Sequence, residues 1–247
     1  MFDILLTIFG FFLLFLVFYE TYATILRATK RTGPLSQNLN QTLWFLTKNL
    51  AKHSERRWRH RLLNPVAPLL LPFLFSLFIF LLIIGFALIY YPQMETGFHQ
   101  SDEAKTTDNW MQACYFSGIT LFTIGYGDVV PHTAAMRVLA MIQGLSGIAV
   151  ISLAVTYLLT VYRALERKRA VALNFYHQAA QGADVANFIA RHYARGHFYG
   201  LTDELKIATR DLQEMLETHL EHPVIHYFHP LEVYKSLPRA LFFVLEA

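Results

Sequence analysis

Residues 110–131 read WMQACYFSGITLFTIGYGDVVP, and this stretch decides how the chain is organised. Its first part, residues 110–121, is moderately apolar but shorter than the about 20 helical residues that cross a membrane core. A long apolar stretch stands on each side of it, so both of its ends must stay on one face of a membrane. The stretch therefore predicts a re-entrant segment, a half-helix that enters the membrane and returns as irregular backbone surrounded by protein or water.

Three apolar stretches are long enough to span a bilayer: residues 4–26, 66–91 and 134–162. The first holds one carboxylate, Glu20, and the third holds one charge, Arg137, in its first turn. Only 16% of the chain is charged, against about 25% in a soluble domain. The first stretch is interpreted as a retained helix rather than a signal peptide, because Asp3 stands where a basic residue is expected and no small-x-small cleavage site follows.

Charge along the chain predicts its orientation. Residues 27–61 carry nine basic residues against the single acid Glu55, which marks a cytoplasmic loop by the positive-inside rule. Residues 93–110 carry four acids against Lys105 and are expected outside. The N-terminus is therefore expected outside and the C-terminus in the cytoplasm. The third stretch exits into basic residues, as this requires: Arg163, Arg167, Lys168 and Arg169.

The return limb, residues 123–128, reads TIGYGD and resembles the signature of the pore-loop potassium channel family, whose filter motif TVGYG is a close variant. A potassium ion sheds its water only where several oxygens replace the hydration shell. Successive backbone carbonyls must then point toward one axis, which requires residues in the left-handed backbone region at intervals. Gly125 and Gly127 supply positions where a positive φ is free of strain.

The resemblance implies which residues hold the ion. The carbonyls of Thr123, Ile124, Gly125 and Tyr126, with the Thr123 hydroxyl, are expected to form stacked K⁺ sites in a filter strand that ends at Gly127. One chain contributes one strand, and no second TxGYG occurs. A ring of strands therefore needs a homotetramer.

The same resemblance implies residues that support the filter: Asp128, Tyr115, Trp110 and Arg137. The side chains of Ile124 and Tyr126 are expected to point away from the axis. Tyr126 is expected to pack against aromatic rings of the half-helix, with Trp110, Tyr115 and Phe116 as candidates.

Two positions depart from the best-known bacterial pattern. Ile119 stands four residues before Thr123, where some relatives carry a glutamate, so a carboxyl pair with Asp128 is excluded. Tyr115 stands eight residues before Thr123, where a tryptophan is common. We predict that the Tyr115 hydroxyl donates a hydrogen bond to Asp128 in place of the tryptophan.

The third apolar stretch resembles the pore-lining helix of this family. Gly147 falls 24 residues after the filter threonine, at the family's hinge position, and Gly144 lies one turn earlier. A hinge and close helix packing remain equal alternatives, because glycine serves both. With a hinge, the cavity face and a hydrophobic gate are formed by Ile148, Ile151, Val155 and Leu159.

The predicted fold is an all-α integral membrane protein with three transmembrane helices, a re-entrant pore helix and a filter loop per subunit. The resemblance is to the prokaryotic type of this family, a two-helix pore module here preceded by an extra N-terminal helix, and it implies the plasma (inner) membrane of a prokaryote. Residues 1–28 form the N-terminal transmembrane helix and residues 29–65 a basic cytoplasmic linker with an interfacial helix. Residues 66–163 form the pore module, with outer helix 66–91, pore helix and filter 109–131, and inner helix 134–163. Residues 164–247 form a helical cytoplasmic tail, in which Thr202 is expected to cap an amphipathic helix.

The remaining signals are weaker. Basic residues flanking the membrane are candidates for anionic lipid contacts: Arg56, Arg57, Arg59, Arg61, Arg167, Lys168 and Arg169. Seven of 11 histidines lie in the tail, where a proton sensor, or a metal shared by His219 and His222, stands against the interpretation of surface residues without a role. No cofactor is expected, and K⁺ is the permeant ion. A net charge of +3 is too small to indicate a nucleic acid partner. The membrane segments contain no catalytic motif, so an enzyme is not expected.

Three functions stay open at this point. A potassium-selective channel fits the intact motif best. A weakly selective cation channel would use the same architecture. A non-conducting membrane scaffold or receptor subunit would act through its tail, although nothing would then retain both glycines of the motif.

Overall fold

A computed structural model describes residues 1–26, 33–52, 66–100, 108–178, 189–222, 224–225 and 228. Helices make up most of it. The long helices are α1 (Phe2–Thr21), α2 (Pro34–Lys52), α3 (Val66–Tyr90), α4 (Asn109–Leu121), α5 (Ala134–Gln178) and α6 (Leu201–Glu221). Four short strands form two pairs: β1 (Phe98–Gln100) with β2 (Val129–Pro131), and β3 (Tyr193–Ala194) with β4 (His197–Phe198).

Within the described ranges, three helices are long and apolar enough to cross a membrane: Phe2–Leu26, Leu69–Gln93 and Ala134–Asn174. The first includes a π-helical turn at Tyr22–Leu26, and the second ends in a 3₁₀ turn at Tyr91–Gln93. The three apolar stretches of the sequence are therefore helical, as predicted. Much of the first helix is exposed apolar surface, as expected where lipid is the solvent.

The described residues fall into two compact units. The first contains α1, α2 to Leu43, α3 from Leu70, α4, the β1–β2 pair and α5 to Tyr157. Its core is rich in aromatic rings: Tyr90 contacts Phe86, Phe98 and Phe116, with centroids 5.1 to 6.2 Å apart. Tyr90 is fully buried, so these contacts join α3 to β1 and α4.

Helices α1 and α3 approach each other at two glycines. A Cβ atom added at Gly10 would lie 2.7 Å from the Gly85 carbonyl oxygen and 2.7 Å from a side-chain carbon of Ile89. One added at Gly85 would lie 2.8 Å from Leu14 Cδ2. Small residues at such a crossing let backbones touch, which is how helices gain dispersion contacts in a membrane.

The only carboxylate in the body of the first apolar stretch, Glu20, caps the next helix. Its side chain is buried, and its two oxygens accept hydrogen bonds from the Leu35 amide (2.7 Å), the Ser36 amide (3.2 Å) and the Ser36 hydroxyl (2.9 Å). These amides belong to the first turn of α2, where helical donors have no partner within the helix. A Cβ at Gly33 would collide with this carboxylate, so a larger residue there would displace the Glu20 side chain from its present position.

The second unit contains the end of α2 from Trp44, the start of α3 to Leu69, α5 from Leu158, the β3–β4 pair and α6. Arg167 of α5 forms an ion pair with Glu214 of α6, and Lys168 Nζ donates to the Phe228 carbonyl at 3.4 Å. Both contacts connect α5 to later parts of this unit.

The second unit departs from the sequence analysis in three ways. Helix α5 continues to Gln178, well past the predicted end of the inner helix at residue 163, because charged residues with good helix propensity follow the apolar run. The hairpin β3–β4 was not predicted; it turns at Arg195 and Gly196, with φ of 51° and 84°. The prediction that Thr202 caps α6 is wrong, since the helix starts at Leu201 behind Gly200 in a left-handed conformation.

Several predictions lie outside the described residues. They concern the basic residues Arg56, Arg57, Arg59 and Arg61, the external acids Asp102 and Glu103, and the tail histidines His226 and His229.

Candidate functional site: the 123–128 loop

The loop between α4 and β2 has an alternating backbone. Thr123, Gly125 and Gly127 have φ of 57°, 59° and 83°, so every second residue lies in the left-handed region. A positive φ at both glycines is what the sequence analysis predicts from their freedom of rotation. A Cβ atom at either glycine would meet nothing within 4 Å in the chain. Conformation, rather than lack of space within the chain, therefore explains these two glycines.

Thr123 is the residue that the sequence analysis did not place in this region. A β-branched residue at positive φ is a backbone outlier that costs about 1–3 kcal/mol. Here the last turn of α4 fixes it: the Thr123 amide donates to the Thr120 carbonyl at 3.1 Å and the Ile124 amide to the Ile119 carbonyl at 2.8 Å. The Thr123 hydroxyl also donates to the Phe122 carbonyl at 2.7 Å. The helix end thus sets the start of the loop.

Asp128 anchors the other end of the loop. The Tyr115 hydroxyl donates to Asp128 Oδ2 at 2.7 Å, so the predicted hydrogen bond is present. Oδ1 of the same carboxylate accepts from the Val129 amide at 3.0 Å. The bond to Asp128 raises the pKa of Tyr115 to about 12, because the carboxylate stabilises the protonated phenol. Tyr115 therefore remains a donor throughout the neutral range.

Strand β2 follows directly and is held from two sides. It pairs antiparallel with β1, with Phe98 opposite Pro131 and Gln100 opposite Val129. Arg137 Nε donates to the Pro131 carbonyl at 3.1 Å. Arg137 therefore contacts the segment leaving the loop rather than the loop itself. The β1–β2 pair was not predicted, because strands of three residues carry too little periodicity to detect.

The aromatic packing predicted for Tyr126 does not occur among the residues that the structure describes. Tyr126 is 72% exposed. Trp110 contacts Tyr91 instead, at 5.9 Å between centroids, and Phe116 contacts Tyr90 and Phe98. Ile124 is also half exposed, so a single chain leaves the outer side of this loop uncovered.

A buried polar network that sequence reasoning missed lies between α3, α4 and α5. Tyr90 donates to Gln143 Oε1 at 2.8 Å, and Gln143 Nε2 donates to the Ser117 carbonyl and hydroxyl oxygens at 2.9 and 2.7 Å. The Ser117 hydroxyl donates to the Ile83 carbonyl at 2.8 Å. Gln143 and Ser117 are fully buried. A lone glutamine within an apolar helix was the available signal, since such residues bond across helices in membranes.

Gly147 lies against the end of α4. A Cβ added there would lie 2.6 Å from the Leu121 carbonyl oxygen and 3.0 Å from Leu121 Cγ. At Gly144 the nearest atom, the Thr120 carbonyl oxygen, would be 3.9 Å away. Of the two alternatives for Gly147, the structure supplies a direct reason for close packing, and hinge motion stays a prediction.

Helix α5 carries an exposed apolar stripe at helical spacing. Ile148, Val155 and Leu159 are each more than half exposed, and Ile151 is half-buried. Met141 and Leu145 extend the same stripe toward the N-terminal end of the helix at 67% and 71% exposure. The four residues predicted to line a cavity therefore lie on or beside a helix face that one chain does not cover.

The tail residues show ordinary contacts. His219 Nδ1 lies 3.1 Å from the Met215 carbonyl within α6, and burial lowers the pKa of His222 despite the opposing charge of Glu221. Within the part of the chain that the structure describes, no group of three or more potential metal ligands occurs. Of the basic residues predicted to contact lipid, Arg167 and Lys168 make the contacts to Glu214 and Phe228 given above.

Comparison with known proteins supports a channel. Residues 76–164 match the ion channel family, a region that runs from within α3 through α4 and the loop into α5. The chain is 26% identical over 208 residues to the uncharacterized membrane protein YdjJ of Bacillus subtilis strain 168, covering 83% of this chain and 57% of the relative. The chain thus spans less than two thirds of that relative's length. No solved structure matches the chain significantly.

These matches and the three candidate membrane helices indicate a membrane protein with an ion-channel-like region. The residues matched include the whole 123–128 loop, the Tyr115–Asp128 bond and the Gln143 network. The loop and the side chains that hold it therefore lie within the channel-like region.

Proposed function

We propose that this protein is a potassium-selective channel in which four copies of the chain surround one pore. The observation that carries the proposal is the alternation of left-handed φ values at Thr123, Gly125 and Gly127 within TIGYGD. In an extended strand, successive carbonyls point to opposite sides. Placing every second residue in the left-handed region turns them toward a common side, as a carbonyl-lined filter requires.

In this proposal, the carbonyls of Thr123, Ile124, Gly125 and Tyr126, together with the Thr123 hydroxyl, replace the hydration shell of K⁺. The hydroxyl keeps oxygen lone pairs for an ion while it donates its hydrogen to Phe122. Helix α4 is the re-entrant pore helix, and Asp128 with Tyr115 fixes the outer end of the filter. Neutral carbonyls bind the ion without trapping it as a carboxylate would.

The proposed orientation has the N-terminus outside and the C-terminus in the cytoplasm, in agreement with the basic residues at 27–61 and 163–169. The exposed Ile124, Tyr126 and α5 stripe then lie against neighbouring subunits or the central cavity. A gate at Val155 and Leu159 would close by excluding water from a narrow apolar ring.

The test is the reversal potential of the purified protein in a planar bilayer with potassium on one side and sodium on the other. We expect a potential close to the potassium equilibrium value. Gly125→Ala should abolish the selective current, because an L-residue is strained at φ 59°. Gly118→Ala is the matched control, since a Cβ at Gly118 meets nothing within 4 Å and its helix accommodates alanine.

Each other result assigns a different function. A robust current that reverses near zero would replace the proposal with a weakly selective cation channel. Absence of current at every pH, voltage and calcium concentration tested would contradict it in favour of a scaffold acting through the tail.

A further inference from the structure

Two histidines lie together beside the outer end of the 123–128 loop. His99 is in β1 and His132 directly follows β2, and their ring centroids are 4.3 Å apart with a 48° angle between the planes. Both side chains are exposed. We propose that His99 and His132 form a binding site for a divalent transition-metal ion such as Zn²⁺.

The backbone fixes the positions of both residues. His99 pairs with Val130 in the antiparallel ladder, and its neighbour Gln100 pairs with Val129. On the other strand, the His132 amide donates to the Gly97 carbonyl at 2.7 Å. Hydrogen bonds therefore hold the chain on both sides of the pair. Such preorganisation removes much of the entropy cost of bringing two ligands to one ion.

The distance between the rings suits one shared ion. Zn²⁺ binds imidazole nitrogen at about 2.0–2.1 Å in tetrahedral geometry, which places two ligand nitrogens about 3.3 Å apart. Two imidazoles on one tetrahedral zinc ion have ring centroids about 5 Å apart. The 4.3 Å separation observed here is slightly shorter, so the two exposed rings must move apart by about 1 Å, through rotation about their side-chain bonds, to share one ion. Imidazole is the ligand that zinc, copper and nickel share, so the pair selects this class over Mg²⁺ or Ca²⁺.

Water completes the coordination shell. Among the described residues no third histidine, cysteine or carboxylate joins the pair. A site with two protein ligands binds more weakly than a closed structural zinc site and keeps open positions. The ion is therefore exchangeable, and its binding would tie β1 to the segment that leaves the loop.

The site goes beyond the proposed function, because binding does not require conduction. The experiment is calorimetric titration of the full-length protein in detergent with ZnCl₂, comparing the wild type with His99→Asn and His132→Asn. His197→Asn, an exposed histidine in β4, is the matched control for tail histidines. We expect one site per chain in the wild type and the control. Each variant of the pair should weaken it by about tenfold or more, since loss even of an outer partner of a zinc ligand costs about 10–100-fold.

Spectroscopy gives a second readout on the same proteins. Electron paramagnetic resonance of the Cu²⁺-loaded wild type should show coupling to two imidazole nitrogens from this site, and to fewer after either substitution.

Identical zinc titrations in the wild type and in both variants would overturn the proposal, as would the absence of zinc binding. Neither result depends on ion flux, so failure of the channel proposal would leave this test readable. All three substitutions are at exposed positions, and an unchanged melting temperature without metal checks that the fold is retained.

Discussion

Thr123 carries a local conformational cost that the rest of the chain offsets. Its positive φ is uncommon for a β-branched side chain, yet the two amides that follow Phe122 are held by carbonyls of α4. Strained residues of this kind concentrate where a fold must present particular atoms. The sequence alone predicted the left-handed glycines but not Thr123, because threonine normally avoids that region and only the tethering by α4 overrides its preference.

The Tyr115–Asp128 bond gives a prediction at the scale of one hydroxyl. We expect Tyr115→Phe to reduce the stability of the 123–128 loop, because Asp128 loses a donor at 2.7 Å. In the proposed channel it should also reduce the potassium current. Tyr91→Phe is the control: it removes a phenol hydroxyl from a residue that contacts Trp110 through its ring. Unchanged single-channel conductance and open time in Tyr115→Phe would contradict the role assigned to this bond.

The same bond has a defined pH dependence. The pKa of Tyr115 is raised from 10.0 to about 12. The stabilising contribution of the bond is therefore fully present below pH 10 and is lost as the pH rises through about 12. The difference between wild type and Tyr115→Phe should therefore be constant from pH 6 to pH 9. A difference that changed across that interval would show that another group titrates with the bond.

At the scale of elements, Gln143 connects three helices through hydrogen bonds. We expect Gln143→Leu to lower the melting temperature of the solubilised protein, since it leaves Tyr90 and Ser117 groups buried without this partner. Each such group costs about 1–3 kcal/mol. Tyr90→Phe alone should cost less. In a double-mutant cycle, Tyr90→Phe should have little further effect in the Gln143→Leu background. Full additivity would show that the two side chains do not act together.

Glu20 gives a prediction for α2. Glu20→Ala removes the acceptor for the Leu35 and Ser36 amides and should weaken the first turn of α2 by about 0.5–2 kcal/mol, the usual value of a cap. Hydrogen exchange of full-length protein in lipid nanodiscs should then be faster in peptides covering residues 33–40. Asp3→Ala is the control. It removes an exposed acid from α1, the helix that also carries Glu20, and should leave the exchange of residues 33–40 unchanged. Equal protection in Glu20→Ala and wild type would mean that the carboxylate is not the cap.

Element boundaries show where sequence reasoning stops. The apolar runs predicted three spans, because length and hydrophobicity suffice for that inference. They did not predict where α5 ends, since the end of an apolar run marks the end of a hydrophobic environment and not the end of helical hydrogen bonding. The partners of Glu20 and Gln143 could not be predicted either. Both bond to residues at least 15 positions away, Leu35 and Ser117, and only the packed helices bring them together.

At the scale of the whole molecule, one chain leaves surfaces that its own residues do not cover. Tyr126, Ile124 and the α5 stripe are apolar and exposed. The sequence predicted four subunits from its single filter strand, and this assembly stays a prediction.

We expect native mass spectrometry from detergent to give a main species of four times 28.5 kDa. Leu145→Glu, which places a charge on the stripe, should shift the population toward smaller species. A monomeric or dimeric wild type would contradict the fourfold arrangement.

The open space around Gly125 has a stereochemical consequence. An L-residue is strained at its φ of 59°, but a Cβ there would meet no atom of the chain within 4 Å. For a residue of the opposite chirality, that backbone region is the ordinary one. Semisynthetic protein with D-alanine at this position should therefore keep the loop conformation that L-alanine disturbs. The backbone conformation at residue 125, and not the space around it, therefore limits which residue can occupy this position.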